Sequence, residues 1–359
     1  MKSDNNENFY LNKLVKSINN YVENFNGVAG VSIKDLSTGW YFGINDDLIF
    51  PTASSIKIPI LLKLIESSED SKLDLLKNIE ITEEMKSRGS GVIHKMNGTI
   101  NLTIENLSIL MINLSDNTAT NLCIDIAGQD EVNKMLEDYE FKSMRLNRKM
   151  QDYTAIKEGR ENLSSVKEMN LILEMLDSSN AIKPEVAKKV LNILSLNKST
   201  PISQPLPENI IVAGKTGGMP GVRCETAIIY LANRKYILTV MTSHAGNGSS
   251  SSKQNIGEHN GSDLISKISL QTYNYFNVLD QSSKLEIPII ATNEVFYLNQ
   301  DMHEAHDALT CIGSKTYVNE KNRIKYSDQH YFKSDEEMSK LFSDIPEALE
   351  NNYNLPFRC

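Results

Sequence analysis

The stretch PTASSIKIPILLK, residues 51 to 63, decides the fold: an extended approach ends and an apolar helix begins at Ser54. Ser54 and Lys57 stand three residues apart, so in the first turn of a helix both side chains share one face, amine beside hydroxyl. A serine hydroxyl is a poor nucleophile until something takes its proton. A lysine kept neutral by burial or by a second cation can do so. The first amides of a helix have no internal partner, which leaves the Ser54 N–H open to a developing oxyanion. Pro59 costs little this near the start, where little of the hydrogen-bond ladder has begun.

Ser-x-x-Lys alone is a common pattern, and it occurs at Ser54, Ser164, Ser195 and Ser250. Ser164 and Ser165 lead into a helix for which Ser165 and Glu168 read as a capping box. Ser195 precedes a Pro-broken loop and Ser250 lies in a run of serines, so only Ser54 opens a helix that reads as buried.

The 359 residues exceed one typical domain, and 40% hydrophobic content is ordinary for a globular chain. A net charge of −9 with no basic cluster argues against a grip on nucleic acid or on an anionic membrane. Cys123, Cys224, Cys311 and Cys359 are scattered singly, with no Cys-x-x-Cys, so neither structural zinc nor a disulfide framework is expected. The first thirty residues hold no apolar core of signal-peptide length and no later run could span a bilayer, so a cytoplasmic location is expected.

Along the chain, Leu11, Leu14, Val15, Ile18, Val22 and Phe25 recur at helical spacing. Ala29 to Asp35 and Trp40 to Ile44 then read as a hairpin turning at Leu36-Ser37-Thr38-Gly39. After the Ser54 helix, charged sequence read as helical runs to Lys86, and Arg88-Gly89-Ser90-Gly91 makes a corner. Thr103 caps a helix over Ile104 to Asn113, and another follows from Thr118 to Ala127, ending on Gly128. Ser115-Asp116-Asn117 sits in the junction, where those residue types also serve as plain caps. A long polar loop spans Met144 to Asn162, and two helices, Val166 to Leu176 and Pro184 to Leu194, follow. Asn209 to Gly214, Cys224 to Leu231 and Tyr236 to Ser243 read as strands, the first running into Lys215-Thr216-Gly217-Gly218. The paired glycines would let another backbone approach an edge strand, although an ordinary strand end reads equally well. A Ser/Gly/Asn-rich loop from His244 to Asn260 precedes a helix from Asp263 to Phe276. This order predicts a mixed α+β fold: one antiparallel five-stranded sheet, a helical lobe inserted into it, an active site between the two, and a small C-terminal appendage.

Ser54-x-x-Lys57, Ser115-Asp116-Asn117 and Lys215-Thr216-Gly217, in that order, resemble the motifs of the class A serine β-lactamases and penicillin-binding proteins. The resemblance runs from about residue 6 to 278 and includes GSGV from Gly89, MINLSDNTATNL around Ser115 and AGKTGGMPGVR around Lys215. It implies a β-lactamase/transpeptidase-like fold over residues 1–280 and an acyl-enzyme on Ser54 with Lys57 as proton acceptor. Ser115 would relay the proton and Lys215 would add positive charge. Asn117 would hold the substrate amide, Thr216 a carboxylate, and the N–H groups of Ser54 and Gly218 the oxyanion, with Gly217 lining the same edge. The implied partner is a small β-lactam or an acyl amide or ester, turned over by a monomer without cofactor or metal, and the implied roles are β-lactam catabolism and antibiotic response.

One departure from the family pattern concerns the loop base. Class A β-lactamases carry a glutamate two residues after a loop arginine; if Arg148 is that arginine, Met150 takes the glutamate's place, followed by Gln151 and Asp152. Asp152 is the candidate deacylation base, or a solvated loop aspartate. Transfer of the acyl group to an amine, and a catalytically silent scaffold, are the alternatives. From about Leu285 to Cys359 the sequence resembles the later part of the PHP domain of bacterial DNA polymerase III alpha subunits, so residues 281–359 are expected to form a separate segment. Glu294 and Phe296 stand where metal-binding members carry Asp and His, and His303, His306 and Asp307 read as a solvated helix face.

Overall fold

The computed structural model describes residues 9–178, 181–196, 199–244, 251–285, 290–320, 323–343, 348–350 and 352. The chain divides into two compact units, Ser17–Asp280 and a second made of Met1–Lys16 with Gln281–Cys359.

The amphipathic start forms α1 (Phe9–Glu23), and the hairpin forms β1 (Val28–Asp35) and β2 (Tyr41–Ile44). Asp35 ties its turn by accepting the Ser37 N–H at 2.9 Å and the Thr38 hydroxyl at 2.7 Å. Next, β3 (Phe50–Pro51) leads through a 3-10 turn, Ala53–Ile56, into α2 (Lys57–Glu69). The α-helix therefore starts at Lys57 and not at Ser54, because residues 53–56 close 3-10 bonds, and Ala53, which takes φ 44°, turns the chain into them. Ile58, Ile60, Leu61, Leu62 and Leu64 are all fully buried, so α2 is apolar around its circumference, as a helix running through a core must be. At roughly 1.5–3 kcal/mol per buried aliphatic side chain, these five side chains contribute about 8–15 kcal/mol before the entropy of ordering the chain is subtracted.

The run read as helical before Lys86 contains instead β4 (Asn78–Ile81), paired antiparallel with β5 (Ile100–Thr103). Its reason is local: Ile79 and Ile81 alternate with exposed Asn78 and Glu80, the period of a strand, over a run too short for a helix. Thr103 caps α3 (Ile104–Asn113) as expected, accepting the Asn106 N–H at 3.1 Å. After it come α4 (Asn117–Ala127) and α5 (Gln129–Asp138), split by Gly128 at φ 78°. Short α6 (Tyr153–Lys157) lies in the long loop, and β6 (Leu163–Ser164) closes that loop by pairing with β3. Then come α7 (Val166–Ser178) and α8 (Pro184–Leu194). Helix α2 packs against α3, α4, α5 and α8. The capping box at Ser165 is half formed. Ser165 accepts the Glu168 N–H at 3.2 Å, but the Glu168 carboxylate instead accepts backbone N–H groups of Lys142, Ser143 and Met144.

Strands β7 (Ile211–Met219), β8 (Val222–Tyr230) and β9 (Lys235–Ser243) complete the sheet, in the order β2-β1-β9-β8-β7 with every neighbour antiparallel. The helical lobe is thus inserted between β2 and β7, and β7 is an edge strand. The closing helix α9 (Ser251–Leu285) is longer than the sequence predicts, and positions 251–260, expected as loop, are helical. Leu264, Ile265 and Ile268 bury the helix against the sheet, and helix propagation carries it N-terminally past poor helix formers. Phe276 stacks on Tyr236 of β9, ring centroids 4.3 Å apart.

In the second unit, α10 (His303–Ser314) does not present His303, His306 and Asp307 as a solvated face. His303 Nε2 lies 3.0 Å from the Tyr326 carbonyl, His306 stacks on Phe296 at 5.3 Å, and Arg323 grips the Asp307 carboxylate with two bonds. These partners lie far along the chain, where helical spacing cannot show them. Among the described residues no group of three His, Cys, Asp or Glu could hold a metal. Leu309 is 64% exposed, as expected of a segment short of core, and α11 (Asp335–Leu341) carries a full capping box between Ser334 and Glu337.

Candidate active site

The 3-10 turn sets Ser54 between helix α2 and strands β7 and β8 of the sheet. The first hydrogen bond of the turn runs from the Ser55 N–H to the Thr52 carbonyl at 2.9 Å, so the Ser54 amide precedes the ladder. Edge strand β7 comes directly alongside. A Cβ on Gly217 would sit 2.7 Å from the Ser54 nitrogen, 2.9 Å from the Thr52 carbonyl oxygen and 2.9 Å from Cys224 Sγ, so only glycine fits there. Buried Cys224, opposite Gly217 in the β7/β8 register, locks the turn: its thiol lies 2.8 Å from the Thr52 carbonyl and 3.4 Å from the Ser55 hydroxyl. Burial pushes that thiol up to about 11, and the thiol of Cys123, on α4, up to about 12.

Lys57, the first residue of α2, is fully buried. Its Nζ donates to the Ser115 hydroxyl at 3.0 Å and to the Ser115 carbonyl at 2.9 Å. Burial, and next the charge of Lys215, hold the lysine well below its ordinary range, against the opposing pull of Asp116. Ser115 reaches this position because it takes φ 54° in the α3–α4 junction. Asp116 is a cap, as the residue type suggests, and more than a cap. Its carboxylate accepts the Ala119 N–H at 2.9 Å and also those of Val92 and Ile93 at 2.6 and 2.9 Å, tying the Gly89–Gly91 corner to α4. Asn117 donates its side-chain Nδ2–H to the Arg88 carbonyl at 2.9 Å. Lys215 is buried on β7 and donates to the Thr216 carbonyl at 2.8 Å, while the Thr216 hydroxyl lies 3.4 Å from the Cys224 carbonyl. The missing Cβ of Gly218 leaves space for Arg223, whose Nη1 would lie 2.3 Å from it.

The long loop is anchored to the fold at both ends, while most of residues 151–160 are exposed. Arg148, only 7% exposed, pairs with Glu161 at 2.6 Å. Asn162 accepts the Asn147 and Arg148 N–H groups at 2.7 and 3.0 Å, and its own carbonyl accepts the Thr52 N–H at 2.9 Å, binding the loop to the strand that leads to Ser54. Asn121 grips Met150 from both sides, accepting its N–H at 2.8 Å and donating to its carbonyl at 3.1 Å. Asp152 caps α6 through the Ala155 N–H at 2.9 Å. Asn121 was not singled out from the sequence, yet a signal existed: it lies one helical turn after Asn117, on the same face of α4.

The model of the beta-lactamase enzyme family matches residues 13–276. The chain belongs to that family. A β-lactamase of Sphaerobacter thermophilus DSM 20745 superposes on this family member with a TM-score of 0.65 at 27% identity, over 74% of this chain and 97% of the other. PBP-A superposes equally, TM-score 0.65, at 22% identity over 75% and 97%, a likeness of fold. The architecture is therefore the α+β β-lactamase fold. Two DNA polymerase III alpha subunits also match: that of Rickettsia bellii (strain RML369-C) at 45% identity over 83 residues, and that of Rickettsia prowazekii (strain Madrid E) at 47% over 78. These cover 23% and 22% of this chain, which spans only 7% of either subunit. Among the described residues no helix is long and apolar enough to cross a membrane.

Proposed function

We propose that this β-lactamase-family chain is a serine hydrolase that forms an acyl-enzyme on Ser54 with β-lactams or related amides and esters. The observation that carries this reading is Lys57: a fully buried amine, depressed in pKa and held on the Ser115 hydroxyl at 3.0 Å. A buried amine whose charged form is disfavoured, three residues from a serine, is the base proposed for that serine. In the proposed sequence, Lys57 takes the Ser54 proton as Oγ attacks the carbonyl, and the Ser54 and Gly218 N–H groups bind the oxyanion. The proton passes through Ser115 to the leaving nitrogen. Lys215 and Thr216 receive a substrate carboxylate, Asn117 its amide, and Gly217 keeps β7 close enough for both.

Every residue proposed for acylation is present in the sequence, and the loop glutamate of the family pattern is not. Met150 cannot take a proton from water, and the Asp152 carboxylate, the remaining candidate base, is engaged as a helix cap. A positioned general base contributes roughly 10²–10⁴-fold. Benzylpenicillin should therefore give a fast burst and a slow steady state, and mass spectrometry should find the adduct on Ser54 and none in Ser54→Ala. No adduct with penicillin or with a fluorophosphonate would end this reading and leave a silent scaffold. Slow attack by water also favours a second reading, transfer of the acyl group to an amine, which would appear as new products when candidate amines are added. Residues 281–359 are proposed to be a separate segment with no part in the chemistry.

A further inference from the structure

We infer that the chain pairs with a second copy of itself through the outward face of α10, the two helices lying antiparallel about a twofold axis. The inference concerns the second unit and does not rest on the Ser54 reading. It departs from the expectation of a monomer, which came from the resemblance of the first unit alone. Helix α10 spends one face on its own unit: His303, His306 and Asp307 are engaged with Tyr326, Phe296 and Arg323, and Cys311 is buried. The opposite face carries Met302, Ala305, Leu309 and Ile312, all exposed, Ile312 by 73%. Their spacing of three, four and three residues is the a/d pattern of a seam between two paired helices, narrower than the stripe of a helix that packs on a core. A Cβ built on Gly313, beside Ile312, would meet nothing within 4 Å, so among the described residues nothing covers this end of the face.

The stripe is complementary to itself when reversed. In a twofold pair every contact occurs twice, residue i on j and j on i. Antiparallel pairing sets Ala305 against the partner subunit's Leu309 and Met302 against the partner subunit's Ile312, so the leucine fills the space that the alanine leaves. Parallel pairing would stack alanine on alanine next to leucine on leucine, a gap beside a crowded layer. The charges select the same direction. Exposed Asp301 stands just before the stripe and exposed Lys315 just after it, two heptads apart and therefore on the same flank of the seam. Antiparallel pairing brings Asp301 beside the partner subunit's Lys315 at both ends, and lays the positive N-terminus of one helix along the negative C-terminus of the other. Parallel pairing would gather both acids at one end and both lysines at the other. Exposed Leu298 and Tyr317 extend the apolar surface past either end of the seam.

So small an interface belongs to the class that associates weakly, and sedimentation velocity of the full chain from about 2 to about 200 µM should show one chain mass giving way to two. Ile312→Glu, at a position already in solvent, should keep the chain monomeric over that range, with the circular dichroism spectrum unchanged. Asp301→Lys and Lys315→Asp should each weaken the dimer about tenfold, since each turns two attractive rim pairs into repulsive ones, and the double swap should restore it. A chain that stays monomeric to the highest concentration, or a dimer that Ile312→Glu leaves intact, would overturn the interface. A dimer that Ile312→Glu dissolves and the double swap fails to restore would overturn the antiparallel arrangement.

Discussion

Glu225 is a buried carboxylate on β8, one residue from the cysteine that locks the Ser54 turn, and its replacement by Gln should reveal a pH-dependent cost. Burial raises its pKa from 4.5 to about 7, against the opposing help of Thr200, of the Ile202 N–H at 3.1 Å and of the Arg223 and Lys215 charges. A shift of this size is worth about 3 kcal/mol. The sign follows from which state holds the proton. Between pH 4.5 and 7 the folded protein keeps it and the unfolded chain has lost it, so stability falls as pH rises through that window and levels above it. Glu225→Gln preserves shape and the acceptor for Ile202 but cannot ionise. Urea unfolding should find the two proteins nearly equal at pH 4.5, and the variant more stable by about 3 kcal/mol at pH 8. Lys57 titrates in the opposite sense, its depressed pKa making stability rise with pH, but it does so in both proteins and cancels. Parallel stability curves, with a gap that does not open between pH 5 and 7, would show that Glu225 ionises in the fold much as it does in water.

Met150→Glu should speed the slow phase of penicillin turnover by up to about 10²-fold, and Asp152→Asn should slow it further only if Asp152 supplies the base; stopped-flow bursts read both. Gly217→Ala places a methyl group against the Ser54 amide and should cost about 1–3 kcal/mol of stability and about 10²-fold in acylation, seen as a lower melting temperature and slower labelling by a fluorescent penicillin. Removing residues after 280 should leave the melting temperature and the Ser54 acylation rate nearly unchanged; a large fall in either would show that the hydrolase depends on the tail.

Much of this fold is legible in local pattern. Thr103 and Gly128 bound their helices as expected, the hairpin turns at Leu36 to Gly39, and the order of elements yields the five-stranded antiparallel sheet with helices inserted into it. What escapes the sequence is decided by partners far away. Glu168 abandons its own helix for the amides of Lys142 to Met144, and Asn121 bonds a residue 29 positions on. Neither choice leaves a periodic trace. The 3-10 turn at Ser54 is hidden for another reason: alanine rarely accepts φ 44°, and nothing in Ala53 itself announces that it does.

The cysteines give this protein an internal reporter of its own opening. Cys224 lies against the Ser54 turn and Cys123 sits on α4, and burial with raised pKa makes both thiols poorly reactive while the fold is closed. A thiol-reactive dye can reach them only when β8 or α4 breathes, so the slow labelling rate at each site measures the free energy of that local opening. A ligand seated at Ser54 should slow the dye at Cys224 by the same factor with which it stabilises the closed turn. Occupancy of the site could then be followed without any chromogenic substrate, by counting thiols.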